Sequence, residues 1–198
     1  MQSTLPSKRV SGDDRRAAIA VAAREIIVSK GLEGLRTRDI AARVGINIAT
    51  LHYHVPTKEA LIGLVAESIR YDFKAQAKRH SRAGKNGLEQ LRLEFGDFRE
   101  TVAEAPERMI VLGELGERAR RDPAIAAIIL PMRDFWCHQF ADIFRLGRED
   151  GSLRPDIDPE AAALIATGAL TECWRQNRKS LSMLDRVLAE LERTFTRT

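Results

Sequence analysis

Two short segments either side of one glycine constrain this chain more than anything else in it. "TRDIAARV" (37–44) sets Ile40, Ala41 and Val44 on one helical face, and "IATLHYH" (48–54) follows Gly45, with Asn47 in front as a cap. Gly45 supplies the turn, and Pro56 forces Val55 out of helical geometry, so the second segment spans only about two turns. A helix that short has little stability of its own and must be braced by neighbours. The flanking sequence offers them. Asp13 or Asp14 is placed to cap a helix whose apolar positions Ala18, Ile19, Ala22, Ala23, Ile26 and Ile27 recur with period 3.6, closed at Gly31. Thr37 is read as the cap of the second helix, and Thr57 as the cap of a long helix reaching about His80.

The chain downstream carries the same signals. A helix at about 87–104 follows "GKNG", and Pro106 opens another. Asp122-Pro123 and Asp158-Pro159 each pair a cap with a proline at the first helical position, where its missing N–H costs nothing. No run alternates apolar and polar residues as a strand would. The expected fold is all-α with about nine helices: an arm over 1–12, a small module over 13–60 and a larger domain over 61–198.

Composition narrows the class. With 44% apolar and 30% charged residues the chain reads as soluble and globular, and no stretch approaches the roughly 18 apolar residues of a membrane span. The polar start lacks the apolar segment of a signal peptide, and Cys137 and Cys173 have no CxxC spacing, so a reduced, cytoplasmic protein is expected. The net charge of +4 belongs wholly to the first third, where residues 1–60 hold ten Lys/Arg against six Asp/Glu while 61–198 hold 22 of each. A basic module on a neutral domain points toward nucleic acid, although uneven charge on a solvated surface gives the same count.

Residues 37–54 have the layout of a helix-turn-helix, a motif that lays its second helix in the major groove of double-stranded DNA. An ordinary helical hairpin inside an all-α enzyme has the same layout. The His52-Tyr53-His54 triplet raises the question of a metal, but successive helical residues turn about 100°, so His52 and His54 point about 200° apart and cannot share one ion. No cofactor or metal motif stands elsewhere. The residue types suit DNA better: Asn47, Thr50, His52 and Tyr53 carry hydrogen-bonding groups, Ile48, Ala49 and Tyr53 can approach base edges and thymine methyls, and His54 sits where it could touch phosphate or close the last turn. Lys58 stands in the first turn of the next helix, where the helix dipole disfavours a cation; beside free backbone N–H groups it makes a phosphate clamp. Arg36, Thr37 and Arg38 could hold the other strand's backbone. Lys8, Arg9, Arg15 and Arg16 could follow the minor groove.

The span "LRTRDIAARVGINIATLHYHVPTKEAL" resembles the DNA-binding domain of TetR-family transcriptional regulators, over about residues 14–65. The family's Thr-initiated helix, Gly–aliphatic–Ser turn, Thr-Leu-Tyr recognition helix and Phe-x-x-Lys-Glu-x-Leu entry fall on Thr37, Gly45-Ile46-Asn47, Thr50-Leu51-His52 and Val55 to Leu61. Asn47 replaces Ser, an equally good cap. His52 replaces a Tyr whose hydroxyl meets phosphate in the family, and a ring N–H offers the same bond with shorter reach. Val55 replaces an aromatic, so a bulky neighbour is expected to fill the space.

The resemblance implies a ligand-responsive regulator, most simply a repressor, that binds a palindromic operator as a homodimer and is released by a small apolar or aromatic effector. Two stripes offer a dimer face: Ala162, Ala166, Ala169 and Cys173 on one helix, and Leu181, Leu184, Leu188, Leu191 and Phe195 on the last. Plain intramolecular core produces the same stripes. Phe95, Phe98, Met109, Leu112, Trp136, Phe140 and Trp174 supply aromatic and flexible apolar surface for an effector pocket, with Glu114 and His138 as polar candidates. A regulator of the same shape controlled by a protein partner is the nearest alternative. An enzyme using His52 or His138 as base would lack a nucleophile, a carboxylate pair or a phosphate loop.

Overall fold

The computed structural model describes residues 11–176 and 180–196; Lys8 and Arg9 of the expected arm lie outside the described residues. Within them every regular element is helical: α1 Gly12–Lys30, α2 Thr37–Val44, α3 Ile48–His54, α4 Lys58–Ala77, α5 Gly87–Glu104, α6 Pro106–Ala119, α7 Pro123–Asp150, α8 Pro159–Gln176 and α9 Leu181–Phe195, with a single 3-10 turn at Leu32–Gly34. No helix is long and apolar enough to cross a membrane among the described residues.

The chain divides into two compact units, one ending at Ser68 and the other starting at Ile69. The division falls inside α4 rather than at its start, because Leu61, Ile62, Leu64 and Val65 are buried within the first unit's residue range. That unit holds α1, α2 and α3 around Ile19, Ile26, Ile40 and Leu51, all without solvent exposure. Val55 is buried too, so its site is filled without an aromatic ring.

Local chemistry sets the ends of these helices, twice in a way the sequence signals misplace. α1 is capped by Ser11, not by Asp13 or Asp14: the Ser11 hydroxyl accepts from Asp14 N at 3.0 Å and the Asp14 carboxylate accepts from Ser11 N at 3.4 Å. A hydroxyl three residues ahead of a carboxylate satisfies both donors reciprocally, which a lone Asp cannot. Ala18 is exposed and Ala20 takes its place in the buried face. α2 starts from the carbonyl of Arg36, which accepts from Asp39 N and Ile40 N, so Thr37 is the first helical residue and no side chain caps the helix. The caps read at Asn47, Thr57, Asp122 and Asp158 all accept backbone N–H groups.

The second unit packs α5 to α9 around a column of rings. Phe95, Phe140, Phe144 and Phe195 are buried, with Phe98 stacked on Trp136 (5.9 Å between centroids) and Trp136 edge-on to Phe140 (5.5 Å). Burying one such ring contributes about 1.5–3 kcal/mol. The turn after α7 fastens the start of α5: Gly87 N donates to Asp150 Oδ2 at 2.7 Å and Leu88 N to the Ser152 hydroxyl at 3.1 Å. Burial works against the Asp150 charge, but the Ser152 hydroxyl and the backbone N–H groups of Gly87 and Ser152 outweigh it and hold the carboxyl below its usual range.

The two stripes read as a dimer face turn inward. Ala162, Ala166 and Cys173 on α8 and Leu184, Leu191 and Phe195 on α9 are buried in the unit's own core, with Ala169 and Leu188 packed against it and Leu181 half-buried. Ala166, with no exposed surface, cannot touch a second chain, whereas Ala169, Leu181 and Leu188 keep part of their surface open. The reason is geometric: α8 lies between α7 and α9, so its small residues accommodate those two helices. Its outward face carries Leu164, 68% exposed, and Ile165, 56% exposed.

Candidate nucleic-acid interface

The first unit builds its outward surface from the turn between α2 and α3. Gly45 closes α2 at φ 71°, ψ 35°, a left-handed conformation that costs glycine nothing, and Ile46 N returns to Ala41 O at 3.0 Å. The chain then runs extended through Asn47, whose side-chain oxygen accepts from Thr50 N at 2.7 Å and starts α3. Leu51 faces inward with no exposure and anchors the helix. The opposite side is left open: Tyr53 is 85% exposed and Ile48 48%, while Asn47, Ala49 and His52 are exposed and Thr50 and His54 half-buried. A helix that leaves a tyrosine almost bare while burying its one leucine presents a contact surface, not a core face.

The flanking residues complete the surface. Thr57 Oγ1 accepts from Ala60 N at 3.1 Å, so α4 begins with a filled cap and an exposed Lys58 beside it. Among the described residues Lys58 has no ion-pair partner, whereas Lys30 and Arg43 are engaged by Asp39 and Glu25. Arg36, Thr37 and Arg38 are exposed; the Arg36 guanidinium donates to Glu33 O at 2.8 Å and Arg38 lies 3.6 Å from Asp39 Oδ1. The hydrogen bond from Lys30, outweighing partial burial, holds the Asp39 carboxyl below its usual range. Arg16, read from the sequence as a minor-groove residue, instead directs its guanidinium to the carbonyl of His54.

Lys58→Ala is expected to weaken binding to every DNA sequence alike and to lower the slope of log K against log salt by about 1. Affinity measured across a salt series on several duplexes checks this; a loss confined to one sequence counts against a phosphate clamp.

In the second unit the residues read as an effector pocket mostly fill one another's space. Phe95, Phe140 and Trp174 are buried, and Met109, Leu112 and Trp136 half-buried. A shallow crevice lined by Phe98, Val102, Cys173, Trp174, Ser180 and Leu184 is too narrow to hold a water molecule. Val102 could have been found as the residue one turn beyond Phe98 on the same face of α5. Ser180 caps α9 and gave no such signal. His138 is exposed. Burial pushes the Cys173 thiol up, away from reactive thiolate.

One group of metal-ligand types converges among the described residues: His80, Asp97 and Glu100, with donor atoms within 4.8 Å of one another. Arg79 pairs with Glu100, and Arg82 Nη2 lies 3.9 Å from Asp97 Oδ2, so both carboxylates are already met by guanidinium cations and the group reads as an ion-pair network.

A glycine-turned pair of short helices, the second presenting exposed polar and apolar side chains beside an unpaired lysine, defines a helix-turn-helix DNA-binding protein. The family model for bacterial regulatory proteins of the tetR family matches residues 19–65. The chain is 24% identical over 155 residues to the transcriptional repressor KstR2 of Mycobacterium tuberculosis, covering 76% of each. It is 38% identical over 56 residues to the transcriptional regulator EthR of Mycolicibacterium smegmatis, covering 28% of this chain and 26% of that one. Its fold is shared by a TetR-family regulator of Agrobacterium tumefaciens (TM-score 0.82, 19% identity, 94% of this chain and 100% of that one). A regulator of Saccharomonospora viridis in complex with choline is similarly close (TM-score 0.81, 21% identity, 94% and 100%). Residues 19–65 thus match the tetR-family model, and the fold over nearly the whole chain is the one these regulators share.

Proposed function

We propose that this regulator is a ligand-responsive repressor that binds a palindromic operator as a homodimer, with residues 13–60 reading DNA and 61–198 binding effector and partner copy. The observation that carries the DNA reading is the outward face of α3, where an almost bare Tyr53 stands opposite a fully buried Leu51. Ile48, Ala49 and Tyr53 take the base edges, and Asn47, Thr50, His52 and His54, with Arg36, Thr37, Arg38 and Lys58, hold the backbone. One two-turn helix covers too few base pairs for useful specificity, so two copies must lie about 34 Å apart on successive grooves. Leu164 and Ile165, facing out of α8, supply the apolar surface for that pairing.

A small apolar or aromatic effector suits the lining chemistry of the crevice, whose six residues include no charged side chain and one hydroxyl, Ser180. KstR2, a ketosteroid regulator, makes steroid-like compounds a sensible first panel. Binding would have to widen the crevice, and it can shift DNA affinity only by the effector's preference for one of two states. Loss of ~4 kcal/mol of specific binding already returns such a protein to nonspecific affinity. The crevice's lack of room also favours a second reading, control by a protein partner, which a failed effector panel together with intact operator binding would support.

Selection from randomised duplexes tests the function. The wild type is expected to enrich a palindrome, and Tyr53→Ala to lose roughly 10- to 100-fold affinity for it and to enrich a different or degenerate sequence. An unchanged preference removes Tyr53 from the base readers.

A further inference from the structure

Arg16 lies near the start of α1, 38 residues before His54, and reaches the end of α3: its Nη1 donates to the carbonyl oxygen of His54 at 3.0 Å in a half-buried setting. His54 is the last residue of α3, and the chain leaves helical geometry at Val55 (φ −140°, ψ 84°). The carbonyls of a helix's last turn have no partners within the helix, so a donor there must come from elsewhere. Here it comes from a cation on another helix.

Three features give this bond weight. α3 has seven residues, too few to hold its own geometry, and its other end is already fixed by a side chain, Asn47. The backbone bond from Val55 N to Leu51 O also ties the C-terminal end, at 2.9 Å. Arg16 also places its positive charge at the negative pole of the helix, where a cation is stabilising and where that pole would otherwise approach DNA phosphates. Next to the pinned residue stands Tyr53, whose ring meets the His54 ring edge-on at 5.3 Å.

We propose that Arg16 is a positioning residue for operator recognition: its guanidinium pins the C-terminal end of α3 to α1 and so fixes the direction of Tyr53, without itself contacting DNA. This rests on α3 being the recognition helix. The gain is pre-organisation: a side chain already held in its binding geometry gives up less freedom when it meets a base. Lysine at this position keeps the charge but offers a single point donor on a flexible stem, so it restores part of the effect.

The test compares wild type, Arg16→Ala and Arg16→Lys by fluorescence anisotropy, on the wild-type-selected operator and on random duplex over a salt series, with hydrogen exchange of amides 48–55. Arg16→Ala is expected to lose roughly tenfold affinity for the operator and much less for random duplex, with the salt slope unchanged. Exchange near the end of α3 is expected to rise by a similar factor while the buried α1 amides keep their protection, and Arg16→Lys is expected to fall between. A salt slope reduced by about 1 with unchanged exchange would make Arg16 a phosphate contact and overturn the proposal. Unchanged affinity and exchange would overturn it equally. Should Arg16→Ala unfold the unit, Arg16→Lys carries the same two readouts. A wild type that selects no sequence sinks the DNA reading itself, and the exchange data then decide the pin alone.

Discussion

Replacing Leu164 and Ile165 together by Glu is expected to turn the protein into monomers and to lower affinity for its operator by 10³-fold or more. Both residues face away from the core, 68% and 56% exposed, so carboxylates there have water and leave the unit's packing alone. In a two-fold interface every residue counts twice, so the double variant sets four negative charges against one another in an apolar contact. A monomer keeps one two-turn recognition helix and its backbone contacts. It therefore binds DNA at about nonspecific strength, which lies 10³-fold or more below typical specific affinity. Light scattering of the eluted protein and anisotropy on the selected operator check the two halves, and an unchanged circular dichroism spectrum shows that folding is intact. A double variant that stays dimeric moves the interface elsewhere. Ala166→Leu makes the contrast: that position has no exposure, so the same small-residue stripe should lose stability and not dimerisation.

That contrast marks where the sequence was legible. Caps act within four residues, so Asn47, Thr57, Asp122 and Asp158 could be read directly, and with them nearly every helix boundary. Where a better reciprocal partner stood three residues upstream, as Ser11 does for Asp14, the choice among neighbouring caps slipped. Apolar periodicity announced that α8 and α9 each bury a face but carried no information about what covers it. Ala166 and Leu164 look alike in a sequence, yet one meets the unit's own core and the other faces out. The two-turn helix α3 was legible because its signals are local, from Gly45 through Asn47 to Pro56. The Arg16 contact was not legible because its partner is 38 residues away and is a backbone carbonyl, which has no letter. The aromatic residues were placed in a pocket on composition, whereas three-dimensional packing pairs Phe98 with Trp136 and Trp136 with Phe140.

Gly87→Ala is expected to destabilise the second unit by about 3 kcal/mol and to lower its melting temperature by roughly 10 °C. Helix propensity argues the other way, since alanine in a helix is favoured over glycine by up to about 1 kcal/mol. Packing decides. A methyl group at Gly87 would overlap the backbone N and Cα of Gly147 on α7 and press within 3.0 Å of the Ile143 carbonyl oxygen. Those atoms belong to helical backbone and cannot rotate aside as a side chain can. The start of α5 must then lift from α7, stretching the bonds from Gly87 N to Asp150 and from Leu88 N to Ser152. Losing a hydrogen bond to a charged acceptor costs about 1.5–3 kcal/mol, and overpacking adds about 1–3 kcal/mol, partly offset by propensity. Gly96→Ala on the same helix isolates the packing effect: nothing lies within 4 Å of its added methyl, so propensity alone should leave stability unchanged or slightly raised. Thermal melts of the two variants side by side read the difference. Equal melting temperatures would mean that α5 and α7 approach each other less closely than the two glycines allow.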